Sequence, residues 1–182
     1  MNSKKFPKEK IKLVVSDFDG IFTDGKLTVY SDGRTSKNVD YKDIMAIANI
    51  IKQGINFAII SGETSVAIDI MKSKFPMIDT FQNERKKINV LNTLLEKYDC
   101  TNENVIYIGD DINDIECLNF VNFPATVKNA HDKVKEVNNI YIASRMGGDG
   151  AFREIMDSIL WKISFFKFTK KFFNLMITQT NI

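Results

Sequence analysis

Residues 12–20 read Lys-Leu-Val-Val-Ser-Asp-Phe-Asp-Gly: a short apolar run, then two aspartates one residue apart, then a glycine. An apolar run of this length, without polar alternation, predicts a strand buried on both faces, as strands of parallel sheets are. Residues 55–60 (Ile-Asn-Phe-Ala-Ile-Ile) and 104–108 (Asn-Val-Ile-Tyr-Ile) have the same character. Between and around them, 41–53, 64–74 and 84–98 carry apolar residues at helical spacing, and Gly54 stands where the first of these helices should end. Weaker strands fit at 125–127 and 140–142. Strands alternating with helices predict an α/β fold with a doubly wound parallel sheet. One segment departs from the alternation. Residues 26–30 and 35–39 flank Ser31-Asp-Gly-Arg34, which predicts a β-hairpin inserted directly after the first strand and its loop.

The bulk numbers narrow the function. A chain of 182 residues suits one ordinary domain, and 44% hydrophobic with 26% charged residues is the balance of a soluble globular protein. A formal charge of +2 lacks the basic bias of domains that track nucleic-acid backbones, so no nucleic-acid partner is expected. Cys100 and Cys117 form neither a disulfide framework nor a metal-binding pattern, which suits two thiols in a reducing compartment. The apolar run 11–15 is too short for a signal peptide, and no stretch approaches the roughly 20 apolar residues of a membrane span. A cytoplasmic protein is expected. We divide the chain into a domain over 1–160 and a tail over 161–182. In the tail, Phe165, Phe168, Phe172 and Met176 recur at spacings of three or four, with Lys167, Lys170 and Lys171 on the other side. That pattern predicts an amphipathic helix with a basic face. Its aromatic stripe suits packing on its own domain or a neighbouring subunit, and its basic face an anionic membrane surface or a partner.

Ligands of open α/β sheets bind in the crevice beyond the carboxyl ends of the strands. Asp17-Phe18-Asp19-Gly20 follows the first strand, with Thr23-Asp24-Gly25 close behind. Ser61-Gly62-Glu63 follows the second. Gly109-Asp110-Asp111-Ile112-Asn113-Asp114 follows the strand ending at Ile108. Lys86 and Lys87 stand near the start of the helix between the last two. A single Asp-x-Asp is usually a turn or a helix cap. Three strand ends supplying acidic, hydroxyl and acidic groups in turn are harder to explain that way. Crowded carboxylates repel unless a cation binds them, and an all-oxygen donor set suits Mg²⁺.

These motifs resemble the four signatures of the haloacid dehalogenase superfamily of phosphotransferases, over a region from about Ile11 to about Leu160. The resemblance implies a phosphatase in which Asp17 attacks phosphorus to form an aspartyl-phosphate. Asp19 would protonate the leaving alkoxide and later activate water. Ser61 and Lys87, with Lys86 a close rival, would bind the phosphoryl group. Asp17, Asp19 and Asp110 would hold Mg²⁺, with Asp111 or Asp114 completing the shell. The physical logic agrees, since a carboxylate nucleophile divides one difficult displacement into two, and phosphoryl transfer chiefly needs charge stabilisation.

Only the hairpin and one helix fit between the first motif and Ser61, so no large cap domain is expected. Asp-Phe-Asp-Gly-Ile-Phe-Thr-Asp-Gly (17–25), the hairpin and Gly147-Gly-Asp-Gly-Ala-Phe-Arg-Glu154 resemble the capless 3-deoxy-manno-octulosonate 8-phosphate phosphatases. The sialic-acid-type 9-phosphate phosphatases share these features. So does a domain fused to some acylneuraminate cytidylyltransferases, which in some cases holds a tetramer together without catalysis. By resemblance the chain is expected to form a homotetramer acting on a phosphorylated sugar acid of lipopolysaccharide or sialic-acid synthesis. Alternatives are another small phosphate ester or a non-catalytic tetramerisation role, though every motif residue is of the catalytic type. Where octulosonate enzymes typically have arginine after strand two, this chain has Glu63. Glutamate there is similar to the nonulosonate enzymes and would accept hydrogen bonds from sugar hydroxyls alongside Gly62, or merely suit the first turn of the next helix. Lys42 reads as a solvated residue at a helix start, and His131 as a cap or surface residue.

Overall fold

A computed structural model describes residues 6–159 of the chain, so the tail expected at 161–182 lies outside the described residues. Six parallel strands form the central sheet: β1 (Leu13–Ser16), β4 (Asn56–Ile60), β5 (Asp79–Phe81), β6 (Val105–Ile108), β7 (Phe123–Thr126) and β8 (Tyr141–Ile142). Their order is β5-β4-β1-β6-β7-β8, so β1 lies in the interior with β4 on one side and β6 on the other. Leu13 pairs with both Asn56 and Val105, and Ser16 with both Ile59 and Ile108. All four residues of β1 and of β6 are buried, as expected for strands covered on both faces. The fold is therefore the doubly wound α/β sheet that the alternation implies.

The helices follow the expected segments with trimmed ends: α1 (Tyr41–Lys52), α2 (Val66–Lys74) and α3 (Lys87–Lys97). The apolar spacing alone extends the last two back to 64 and 84. The chain instead spends those residues turning away from the strand ends, where Ser65 precedes α2 without a side-chain capping bond and Glu84 donates its amide to the Ser61 carbonyl at 3.0 Å. Strand β5 went unread because three half-buried residues, Asp-Thr-Phe, carry no apolar run. It is fastened to α3 through Asp79, which accepts from Lys97 Nζ at 2.6 Å and Tyr98 OH at 2.8 Å. Short helices α4 (Ile115–Phe120) and α5 (Asp132–Lys135) complete the outer layers, and residues 151–159 form a further helix, α6. His131 caps α5, its Nδ1 accepting from the Lys133 amide at 3.1 Å.

The inserted hairpin is present but short. Strands β2 (Thr28–Val29) and β3 (Thr35–Ser36) pair antiparallel, Thr28 with Ser36 and Val29 with Thr35, and form a separate two-stranded sheet. No larger insertion stands between β1 and β4.

Two features lock the loop after β1 in place. Phe18, between the two aspartates, points into the core and stacks on Phe22, which packs on Phe152 of α6 at 4.6 Å between ring centroids. Burying one such ring contributes about 1.5–3 kcal/mol, so the alternation Asp-Phe-Asp is anchored by its middle member. The loop before α6 then presses on it from outside. A Cβ added to Gly147 would lie 1.6 Å from the Gly20 carbonyl oxygen, so only glycine fits. Behind that loop the α1 residue Asp43, fully buried, accepts from the Arg153 amide at 2.7 Å and so caps the start of α6 from another helix.

Candidate active site

The carboxyl ends of β1, β4 and β6 converge on one cleft of about 480 Å³, lined by Asp17, Asp19, Ser61, Glu63, Arg85 and Asp110 among others. Asp17 continues the line of β1, its amide donating to the Ile108 carbonyl at 2.8 Å, which fixes its side chain at the rim of the sheet. It is buried at 6% exposure. One carboxylate oxygen accepts from the Phe18 amide at 2.6 Å and the other meets Lys87 Nζ at 2.9 Å.

Of the two lysines, Lys87 is the one that joins the acidic group. It is 2% exposed and also contacts Asp114 Oδ1 at 2.8 Å, whereas Lys86 is exposed. Periodicity explains why: Lys87 shares a helix face with Val90, Leu91 and Leu94, all buried, at the i, i+3, i+4, i+7 spacing. Asp114 is fully buried, and each of its oxygens is engaged. Oδ1 accepts from Lys87 and from Tyr107 OH at 2.8 Å, and Oδ2 accepts from the amides of Asp110 and Asp111 at 3.2 and 3.3 Å. Asp114 therefore organises the loop after β6 and aims Lys87. Asp111, the other residue considered for this place, is exposed and caps the following turn through the Ile112 amide.

Carboxylate oxygens of Asp17, Asp110 and Asp114 all lie within 4.8 Å of one another. Burial, then the charge of Asp114, pushes Asp17 up to about 8 against the opposing pull of Lys87. Burial, with Asp114 and Asp111 nearby, pushes Asp110 up to about 7. For Lys87, burial works against the ammonium, but the charges of Asp114 and Asp17 outweigh it and hold its pKa above the ordinary lysine value. Three crowded carboxylates with one buried ammonium are thus short of positive charge, which a divalent cation would supply. The donor set fits one: all oxygen, with Asp17 and Asp110 facing the cleft while Asp114 is already saturated. Asp110 also leans over Gly20, where an added Cβ would stand 1.8 Å from its Oδ2, so the glycine lets the two strand-end loops close up.

Asp19 faces the same cleft but is held differently. Its Oδ2 meets Lys37 Nζ at 2.7 Å and its Oδ1 accepts from the Thr23 hydroxyl at 3.3 Å. Ser61 is buried, and its Oγ accepts from the Glu63 amide at 3.1 Å. Gly62 and Glu63 border the cleft, Glu63 exposed. Lys42 is a solvated residue at the start of α1, 3.7 Å from Asp40. Arg85 and Asn113, which the sequence reading did not single out, line the cleft as well.

Comparison with known proteins gives the family. The profile of the haloacid dehalogenase-like hydrolases matches residues 62–155, just over half of the chain. The chain belongs to that family. It is a phosphoric monoester hydrolase, and its relatives specify the branch. The 3-deoxy-D-manno-octulosonate 8-phosphate phosphatase of Salmonella typhi is 29% identical over 152 residues, covering 84% of this chain and 80% of the relative. The Moraxella catarrhalis enzyme of the same name, solved with magnesium, phosphate and the octulosonate itself, superposes with a TM-score of 0.81 at 28% identity, covering 91% and 95% of the two chains. A cobalt-bound form of the Haemophilus influenzae phosphatase superposes with a TM-score of 0.78 at 30% identity, covering 85% and 90%. Metal binding is thus a property of similar family hydrolases, and this chain carries an acidic group of Asp17, Asp110 and Asp114 at the carboxyl ends of β1 and β6.

Proposed function

We propose that this family member is a Mg²⁺-dependent phosphatase for the phosphate monoester of a 3-deoxy-2-ulosonic sugar acid. The observation that carries the reading is the contact of Asp17 with Lys87 beside Asp110, at the crevice end of β1 and β6. Asp17 and Asp110 would hold the ion, which when bound would offset negative charge on the phosphoryl oxygens. Lys87 and Ser61 bind the same phosphoryl group. An Asp17 carboxylate oxygen attacks phosphorus as the ester P–O bond breaks, and Asp19 gives its proton to the departing alkoxide oxygen. Water then attacks the aspartyl-phosphate, Asp19 takes the water's proton, and inorganic phosphate leaves with the Asp17 carboxylate restored.

The relatives support an octulosonate 8-phosphate. One observation favours a second reading within the class: Glu63 stands at the cleft mouth, where a carboxylate suits the hydroxyls of a longer nonulosonate 9-phosphate. Other small phosphate esters are the remaining alternative. We further propose a cytoplasmic homotetramer, with exposed Val29, Tyr30 and Leu27 of the hairpin region available to neighbouring copies and a separate tail beyond residue 160. Among the described residues no helix is long and apolar enough to cross a membrane. The test is phosphate release from octulosonate 8-phosphate, nonulosonate 9-phosphates and hexose phosphates, with Mg²⁺ and with EDTA. Metal-dependent preference for one sugar acid supports the proposal. Equal rates on hexose phosphates would refute the substrate class, and full activity in EDTA would refute the metal.

A further inference from the structure

The ion pair between Lys37 and Asp19 joins an aspartate of the first motif to a residue outside the motifs that carry the chemistry. Lys37 follows β3, so it reaches the strand-end crevice from the inserted hairpin rather than from the central sheet. Its Nζ stands 2.7 Å from Asp19 Oδ2, and both side chains are largely shielded, at 19% and 30% exposure. The second oxygen of Asp19 takes the Thr23 hydroxyl at 3.3 Å. Thr23 is itself immobilised, being fully buried and accepting at its Oγ1 from the amides of Gly20 and Gly25, both at 3.2 Å. One oxygen is thus referenced to the loop after β1 and the other to the hairpin. Lys37 and Asp19 also border a second hollow of about 640 Å³ between the hairpin and α2, adjoining the first through Asp19, Gly25 and Glu63. Without the ammonium, rotation of the Asp19 carboxylate toward that hollow would be opposed only by one long hydroxyl contact.

We propose that Lys37 is the positioning residue for Asp19, holding its carboxyl group toward the ester oxygen of the bound monoester; this rests on the assignment of Asp19 as proton donor. A partly shielded pair of this kind has more orienting value than a solvent-exposed one, because less water competes for either partner. Proton donation to a leaving group is worth roughly 10²–10⁴-fold and depends steeply on placement, so a misaimed donor loses part of that factor.

The test uses substituted phenyl phosphates, which lack a carboxylate and differ in how much the leaving oxygen needs a proton. In Lys37→Met, kcat/KM should fall about tenfold or more for phenyl phosphate and under about threefold for p-nitrophenyl phosphate, whose phenolate departs unaided. Lys37→Arg, which keeps the charge, should recover most of the difference. Asp19→Asn serves as the reference and should steepen the dependence further. If Asp19→Asn steepens it and Lys37→Met lowers all substrates equally, the positioning role is refuted while the donor assignment stands. If Asp19→Asn itself acts uniformly across the series, the donor assignment fails and the inference with it.

Discussion

Two places in this molecule bury aspartate, and they differ in what surrounds the charge. At the strand ends, Asp17, Asp110 and Asp114 crowd within 4.8 Å of one another around Lys87 and open onto a cleft. Under the start of α6, Asp43 is enclosed by α1 and the glycine loop, with one oxygen on the Arg153 amide and the other buried without a hydrogen-bond partner among the described residues. Burial raises the pKa in both: Asp17 to about 8, Asp110 to about 7, Asp43 to about 6. A raised pKa by itself therefore does not mark a catalytic group. What separates the two places is convergence. The first brings the Asp17 carboxylate, the Lys87 ammonium and a second carboxylate to one solvent-reachable point; the second brings a helix end to a cap.

The largest effect should come from the cleft. Asp17→Asn keeps shape and volume but cannot supply a carboxylate nucleophile, so turnover should fall by about 10⁴-fold or more. The melting temperature should hold or rise, since one buried charge is removed from a crowded group. Phosphate release and thermal melting on the same preparation check both, and ordinary turnover in a folded variant would sink the nucleophile assignment.

Lys87 tests the charge balance instead of the chemistry. Lys87→Met leaves Asp17 and Asp114 buried without their shared ammonium, a loss of about 3–5 kcal/mol for breaking a buried pair. Mg²⁺ should recover part of that stability, because it supplies positive charge at the same place. Melting curves with and without Mg²⁺ read this directly. A variant whose melting Mg²⁺ leaves unmoved would mean that the acidic group does not take the ion.

How much of this was legible in the sequence follows from the kind of information each feature needs. Strands buried on both faces announce themselves as apolar runs, so 12–16, 55–60 and 104–108 gave the sheet, and the residues just after them the cleft. Strand β5, at Asp79–Phe81, had no such signal because it is short and half-buried. Lys87 over Lys86 was recoverable from the helical stripe it shares with Val90, Leu91 and Leu94. Asp43 was recoverable in the same way, since it shares a stripe with Ala46, Ile47 and Ile50 of α1, at spacings of three, four and seven. Lys37 and Arg85 were not. The aim of a hairpin or loop relative to a sheet depends on packing between distant segments, and no local periodicity encodes it.

The smallest effect sharpens the comparison most. Asp43 has a folded pKa of about 6 against an ordinary value of 3.8, raised by burial and opposed by the Arg153 amide, with Asp40 and Asp149 adding repulsion. The folded state then holds this proton more tightly than the unfolded state does. Its contribution is fully present below about pH 4, declines as pH rises, and is lost above about pH 6. Across that window the native protein should lose about 1–3 kcal/mol through this one group. Asp43→Asn cannot ionise, so the difference between its stability curve and that of the native protein should contain that slope and then run flat above pH 6. The amide of the variant would still lack one partner, which limits any net gain at neutral pH to a fraction of that range. Turnover should stay within about twofold, because the cap touches neither substrate nor the strand-end carboxylates. Denaturant melts from pH 4 to 8 check the slope. A flat difference curve would mean that Asp43 is ionised throughout, and a large loss of turnover would mean that the α6 cap and the cleft are coupled through the glycine loop that packs on Gly20.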